Sequence, residues 1–133
     1  MLDKILVVDD DPDILDAVTM ILEAKGYQVL RATNGLEALA KLESDQPALM
    51  ILDLLMPKMD GFAVYKEIKT PKWSKSKNVP ILILTSVREE ASRRRYELET
   101  GEELAVDYYM EKPFSPDMLL KKVAKLIAKK QKA

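Results

Sequence analysis

The chain of 133 residues contains no cysteine and no histidine. The missing thiols exclude a disulfide framework and thiolate metal sites. The missing imidazoles exclude histidine-based catalysis and histidine-ligated zinc. Any bound metal ion must therefore be held by oxygen atoms, which favours Mg²⁺, Mn²⁺ or Ca²⁺.

Long apolar runs and a strong net charge are also missing. The longest uncharged apolar stretches have the length of a strand, as in residues 80–84, and none is long enough to cross a bilayer. The first residues run directly into a strand pattern, so we expect no signal peptide, no membrane association and a cytoplasmic location. A net charge of −1 gives no general attraction to nucleic acid, and we expect no direct nucleic-acid partner.

Apolar runs of strand length alternate with stretches of helical period along the chain. The strand patterns cover residues 5–8, 27–32, 49–52, 81–84 and 106–110. Capping residues precede the helical stretches, such as Asp11 with Pro12 at the first helical position, and Leu36, Leu39 and Leu42 form the predicted inner face of the second helix.

Five such β-α units predict an α/β fold with one parallel five-stranded sheet and helices on both faces. The flavodoxin-like strand order 2-1-3-4-5 is the common one at this size. We expect one domain over residues 1–133, with a C-terminal tail from about residue 128.

Polar side chains stand at the ends of four predicted strands. Asp9 and Asp10 follow the first strand, Asp53 the third, Thr85 the fourth and Lys112 the fifth. Parallel strands present their carboxyl ends at one edge of a sheet, where ligands bind in open α/β folds. We therefore expect these side chains to lie close together.

The charges at this edge predict a cation and an anionic ligand. Three ionised carboxylates repel one another, and their repulsion raises their pKa values. A divalent cation together with Lys112 would balance Asp9, Asp10 and Asp53. A carboxylate can act as a nucleophile towards phosphorus, and a cation bridging carboxylate and phosphoryl oxygens assists such a transfer.

With these residues in order, the sequence resembles the receiver domains of two-component response regulators, the family of the chemotaxis regulators. The resemblance extends from about residue 5 to about residue 127. The matching segments are Val7-Val8-Asp9-Asp10-Asp11, Asp53-Leu54-Leu55-Met56-Pro57, Met59-Asp60-Gly61, Leu84-Thr85-Ser86 and Tyr109-Met110-Glu111-Lys112-Pro113-Phe114.

The resemblance implies a role for each matching site residue. Asp53 would be the phosphoacceptor, and Thr85 and Lys112 would bind the phosphoryl group. Tyr109 would be the switch aromatic, and Lys112-Pro113 would be a cis peptide. The implied metal is Mg²⁺, with Mn²⁺ as a substitute, held by Asp9, Asp10, Asp53 and the main-chain carbonyl of Leu55, with Asp10 bound more directly than Asp9.

The resemblance also implies the function and the partners. The chain would be a phosphoacceptor rather than a conventional enzyme. It would take its phosphoryl group from a sensor histidine kinase or a histidine phosphotransfer protein. A downstream protein would read a change in the face formed by the fourth helix, the fifth strand and the fifth helix, with the chain a monomer or a phosphorylation-dependent dimer.

One segment departs from the family pattern. Lys112 lies 27 residues (112 − 85) after Thr85, which is longer than the family usually shows by about five residues, more than one helical turn. The extra length falls around residues 93–103, so partner choice and dimer mode are open. We expect the run Arg93-Arg94-Arg95 to form a solvated helix face.

Other functions fit parts of the pattern. A haloacid-dehalogenase-type phosphatase would use Asp9 as its nucleophile, with Asp11 beside it, but no late acidic pair follows Lys112. A flavodoxin-like FMN binder would have its phosphate repelled by the acidic first loop. A receiver that is never phosphorylated would not need the acidic pair, Thr85 and Lys112.

Two apolar positions predict a long-lived phosphoryl group. Leu55 lies two residues after Asp53, and Val87 lies two residues after Thr85. In the family these positions flank the phosphoryl group and can orient an attacking water. Neither side chain can form a hydrogen bond to water, so we expect slow self-hydrolysis.

Overall fold

The structure, a computed structural model, describes residues 3–73, 75, 76, 78–101 and 106–132, with the backbone alone for 87–90 and 129–132. Strands alternate with α-helices through these residues. The strands are β1 (Lys4–Val8), β2 (Gln28–Ala32), β3 (Leu49–Asp53), β4 (Ile81–Thr85) and β5 (Tyr108–Glu111). The helices are α1 (Pro12–Glu23), α2 (Gly35–Asp45), α3 (Gly61–Ile68), α4 (Val87–Thr100) and α5 (Pro116–Lys132).

The strands form one parallel sheet in the order β2-β1-β3-β4-β5, which confirms the predicted flavodoxin-like topology. The central strand β3 pairs with β1 on one side and with β4 on the other. Asp53 stands at the carboxyl end of this strand. The position that follows β1 therefore lies beside Asp53 on one side, and on the other side Asp53 is in register with Leu84, one residue before the end of β4.

Alternate residues of the central strands serve two separate cores. Leu6, Met50 and Ile83 face one core, beneath α2 and α3. The intervening residues, such as Ile51 and Leu82, face the other core, beneath α1 and α5. Because β1, β3 and β4 are buried on both faces, their sequences are continuous apolar runs rather than alternating ones.

Side-chain caps fix where three helices begin. Asp11 accepts a hydrogen bond from the amide of Asp13 at 2.9 Å, ahead of Pro12 at the first position of α1. Asn34 accepts from Glu37 at 3.0 Å and Asp60 from Ala63 at 2.9 Å. Each cap satisfies an amide that the helix itself leaves without a partner.

Three expected boundaries or faces differ from the structure. β5 begins at Tyr108 rather than at residue 106, because the side chain of Asp107 accepts a hydrogen bond from the amide of Ile81 at 2.8 Å. Leu36 is 58% exposed, and Ala38 and Leu42 supply the buried face of α2. The segment from about residue 128, expected as a tail, is helical through residue 132.

The polar segment between α3 and β4 contains a 3-10 turn at Pro71–Trp73. The indole nitrogen of Trp73 donates a hydrogen bond to the carboxylate of Glu67 at 2.6 Å, and the residue is 9% exposed. This turn follows the C-terminal end of α3, so Trp73 packs at the edge of the sheet opposite Asp53. Across the described residues no helix has both the length and the apolar character that a membrane span needs.

Candidate functional site

Three carboxylates converge at the carboxyl edge of the sheet. Asp9 and Asp10 follow β1, and Asp53 ends the neighbouring strand β3. One carboxylate oxygen from each of the three lies within 4.8 Å of the others. Asp9 and Asp53 are 1% and 4% exposed, whereas Asp10 is exposed to solvent. The fold thus buries two acidic groups beside a third that solvent reaches.

Lys112 supplies a positive charge to this cluster. Its Nζ lies 3.4 Å from Oδ2 of Asp9 and 3.9 Å from Oδ1 of Asp53. Its amide donates a hydrogen bond to the carbonyl of Thr85 at 2.7 Å, and the bond to Pro113 is cis, as expected. The lysine therefore bridges two of the three carboxylates from the end of β5.

Burial dominates the electrostatics of Asp9. Removal from water raises the pKa of this carboxyl above its ordinary value of 3.8, against the opposing effects of the Asp11 amide and the Lys112 charge. The Asp11 amide donates to Oδ1 at 2.9 Å, and Lys112 lies against Oδ2. Both oxygens of Asp9 thus already have partners within the chain.

Thr85 ends β4 and is 1% exposed. Its hydroxyl donates a hydrogen bond to the carbonyl of Ser86 at 3.2 Å. The sheet register places Thr85 beside Glu111, the residue before Lys112. The threonine is at the expected strand end, and its hydroxyl is directed to the neighbouring main chain.

The loop that follows Asp53 is anchored to the strand end. Leu55 is half-buried and packs against the core beneath α2 and α3. The amide of Gly61 donates to the carbonyl of Leu54 at 2.9 Å. The side chain of Val87, the other apolar position expected near the phosphoryl group, lies outside the described residues.

Tyr109 is half-buried and packs against the same core as Leu55. The guanidinium of Arg93 in α4 lies over its ring, 4.6 Å from the ring centroid. Arg93 also pairs with Glu97 at 3.4 Å and is 22% exposed. The prediction of a solvated helix face is therefore confirmed for Arg94 and Arg95, which are exposed, but it is wrong for Arg93, which is half-buried. Residues 102–105 of the lengthened segment lie outside the described residues.

The residues present fit a hard divalent cation. Three carboxylates supply the oxygen ligands that Mg²⁺ and Ca²⁺ prefer. Lys112 carries a single positive charge and alone cannot balance three ionised carboxylates. This acidic pocket could therefore bind a metal.

The sequence model of the response regulator receiver domain family matches residues 5–124 of this chain. The chain belongs to this family. Receiver domains are phosphoacceptor switches, and response regulators take phosphoryl groups from histidine kinases. The match gives no support to the phosphatase hypothesis with Asp9 as nucleophile.

Named relatives and a solved structure agree with this assignment. The alkaline phosphatase synthesis transcriptional regulatory protein PhoP of Bacillus subtilis is 43% identical over 113 residues, which are 85% of this chain and 43% of PhoP. The DNA-binding regulator RpaA of Synechocystis is 34% identical over 93% of this chain and 48% of RpaA. The chemotaxis response regulator CheY4 of Vibrio cholerae superposes with a TM-score of 0.78 at 32% identity, covering 95% of this chain and 99% of CheY4. The chain thus spans less than half the length of the two transcriptional regulators.

Replacing Asp9 with asparagine should flatten the dependence of stability on pH in metal-free buffer. Because the pKa of Asp9 is raised in the folded protein, the folded state holds a proton that the unfolded state has released. The free energy of unfolding therefore falls as pH rises from 3.8 to the higher folded value, and Asp9→Asn removes that fall. Urea unfolding in buffer with EDTA, repeated across this pH range, measures the free energy of unfolding of each protein.

The control is Asp13→Asn, which removes the same charge from an exposed position in the first turn of α1. This variant should retain the pH-dependent fall of the parent protein. Parallel pH profiles for Asp9→Asn and the parent protein would contradict the prediction.

Proposed function

We propose that the chain is a phosphorylation switch in which Asp53 accepts the phosphoryl group. The observation that carries the proposal is the position of this carboxylate. It is 4% exposed, it ends the central strand, and both the acidic pair Asp9 and Asp10 and the ammonium of Lys112 lie close to it. An anionic substrate can approach it only where the negative charge is offset.

The proposed transfer is a direct displacement at phosphorus. A carboxylate oxygen of Asp53 attacks the phosphorus atom of a phosphohistidine on the donor protein. The new phosphorus–oxygen bond forms as the phosphorus–nitrogen bond breaks. The donor imidazole leaves with the electron pair and takes up a proton from solvent.

We propose that Mg²⁺ is the cation, with Mn²⁺ as a substitute. Asp10 and Asp53 would contact it together with the main-chain carbonyl of Leu55. Asp9 would contribute mainly its charge, since the Asp11 amide and Lys112 occupy its two oxygens. A bound cation would neutralise charge on the phosphoryl oxygens during transfer.

Lys112 and Thr85 would hold the product. Lys112 already lies 3.9 Å from Oδ1 of Asp53, and its ammonium would pair with a phosphoryl oxygen. Thr85 would rotate its hydroxyl from the Ser86 carbonyl towards the phosphoryl group. That rotation links the modification to the end of β4.

The proposed output is a population shift on the α4–β5–α5 face. Thr85 moves towards the phosphoryl group and Tyr109 fills the space behind it, so phosphorylation biases two states that both pre-exist. We propose that a downstream protein reads this face. PhoP and RpaA are named as transcriptional regulators, and the chain covers less than half of each.

Incubation with acetyl phosphate and Mg²⁺ should label the protein on Asp53. Asp53→Asn should abolish the label, because the attacking oxygen is lost. Asp13→Asn, an exposed change of equal charge in α1, should be labelled like the parent protein. Mass spectrometry after borohydride trapping identifies the site. A label that survives Asp53→Asn but disappears in Asp9→Asn would overturn the proposal.

The acyl phosphate should decay slowly, because Leu55 and Val87 cannot orient an attacking water. Introducing polar side chains at both positions, as Leu55→Asn with Val87→Glu, should speed the decay several-fold. Loss of label from the purified phosphoprotein over time gives the rate. An unchanged rate in the double variant would refute this explanation.

Removing the Arg93 guanidinium should shift Tyr109 towards its activated orientation before phosphorylation. A cation–π contact of this kind contributes about 0.5–1 kcal/mol to the observed state. Arg93→Gln should therefore move the Tyr109 ring signals in NMR spectra of the unphosphorylated protein towards those seen with beryllofluoride. Glu97→Gln, which removes the negative charge of the ion pair at 3.4 Å and leaves the guanidinium in place, should move them less. Identical spectra for Arg93→Gln and the parent protein would contradict this.

A further inference from the structure

The loop at residues 54–60, here called the acceptor loop, follows Asp53 directly and is closed at its base by Gly61. The Gly61 amide donates to the carbonyl of Leu54 at 2.9 Å. A Cβ atom at this position would lie 2.4 Å from the carbonyl oxygen of Asp53 and 2.9 Å from Cα of Leu54. Both atoms belong to the backbone, so only glycine allows α3 to begin this close to the phosphoacceptor.

A second glycine, Gly35, anchors the opposite end of the acceptor loop. Gly35 is the first residue of α2, and its amide donates to the carbonyl of Met59 at 2.8 Å. A Cβ atom at Gly35 would lie 2.5 Å from that carbonyl oxygen and 2.8 Å from Cγ2 of Val64. Real side chains do not approach backbone this closely, so any residue other than glycine would displace the loop.

The first turn of α2 is itself held firmly, so it can serve as an anchor. Asn34 is 5% exposed, and its Oδ1 accepts a hydrogen bond from the Glu37 amide at 3.0 Å. Glu37 in turn accepts from the amide of Thr33 at 2.9 Å. Hydrogen bonds from Thr33 lower the pKa of Glu37 most, and the charge of Lys58 in the acceptor loop adds to the effect. The first turn of α2 thus has its own hydrogen-bonded support, and Gly35 within it can hold Met59.

Between its anchors, the acceptor loop adopts a conformation that needs support. Lys58 has a φ of +65°, in the left-handed region that favours glycine. The amide of Met59 donates to the carbonyl of Pro57 at 2.7 Å, which makes the tip of the loop tight. Such a conformation persists where the surrounding structure holds it on both sides. Leu55 lies between the two anchors.

We propose that Gly35 is a positioning residue for the cation site. The first turn of α2 holds the acceptor loop, and the loop holds the main-chain carbonyl of Leu55 within reach of a cation at Asp10 and Asp53. The inference rests on the proposed function, because it takes the carboxylate cluster to be the cation site. Gly35 approaches the loop at Met59, and an added Cβ there would also meet Val64 of α3.

The experiment compares Mg²⁺ affinity by isothermal titration calorimetry, at a temperature where circular dichroism shows each variant folded. Gly35→Ala should weaken Mg²⁺ binding by about tenfold, the lower end of the usual effect of residues that support metal ligands. The matched control is Gly26→Ala. Gly26 has a φ of +89° and lies between α1 and β2 at the opposite edge of the sheet, with nothing within 4 Å of an added Cβ. It should lose stability and retain Mg²⁺ affinity.

A second variant covers the case in which Gly35→Ala does not fold. Asn34→Ala removes the cap that orders the first turn of α2, leaves Gly35 in place, and should also weaken Mg²⁺ binding. Parent-like affinity in folded Gly35→Ala, or in Asn34→Ala when the first variant is unfolded, would overturn the inference. An equal loss of Mg²⁺ affinity in Gly26→Ala would also overturn it, because the effect would then follow from lost stability. A parent protein that binds no Mg²⁺ would instead refute the proposed cation site and the inference with it.

Discussion

A carboxylate is costly to bury unless its charge is compensated, and this protein buries two of them side by side. Asp9 and Asp53 are both nearly inaccessible to solvent, and a third acidic group, Asp10, adjoins them. Within the described cluster Lys112 approaches two of the three, from the end of another strand. The arrangement leaves negative charge in excess, which lowers the stability of the bare protein. That same excess would attract a cation, and the proposed cation would offset the charge that otherwise repels an anionic phosphoryl group.

The parallel sheet makes this concentration of charge tolerable. The strands β1, β3 and β4 are buried on both faces by two apolar cores, so their ends are fixed with little freedom. The acidic residues stand at those ends, where the sheet stops and solvent begins. Rigid strands thus hold groups together that would separate if the backbone could relax. The main-chain bond between Lys112 and Thr85 extends this rigidity to the lysine.

Much of this arrangement could be predicted from the sequence, because it depends on patterns of short range. Continuous apolar runs identify the buried strands, and the carboxyl-edge rule then brings Asp9, Asp53 and Lys112 together without knowledge of any contact. The start of β5 could not be predicted this way. It depends on a hydrogen bond from Ile81 to Asp107, residues that are distant in the chain.

Contacts between elements account for the remaining differences. Arg93 belongs to a charged run that favours solvent, and only the packing of α4 against the sheet places its guanidinium over Tyr109. Gly35 follows a capping asparagine, which the sequence shows, but its close approach to Met59 depends on how α2 packs beside α3. Leu36 has the spacing of a buried residue, yet it stands in the first turn of α2 and remains exposed. Periodicity describes one helix at a time and carries no information about its neighbours.

The single tryptophan of the chain determines what intrinsic fluorescence can report. Trp73 is packed beyond the C-terminal end of α3, with its indole nitrogen bonded to Glu67, whereas the carboxylates lie beyond the N-terminal end of the same helix. The length of α3 therefore separates the fluorophore from the chemistry. Tryptophan emission in this protein therefore reports on folding at the edge of the sheet far from the site. To follow occupancy of the site by fluorescence, a tryptophan would have to be introduced beside Asp53.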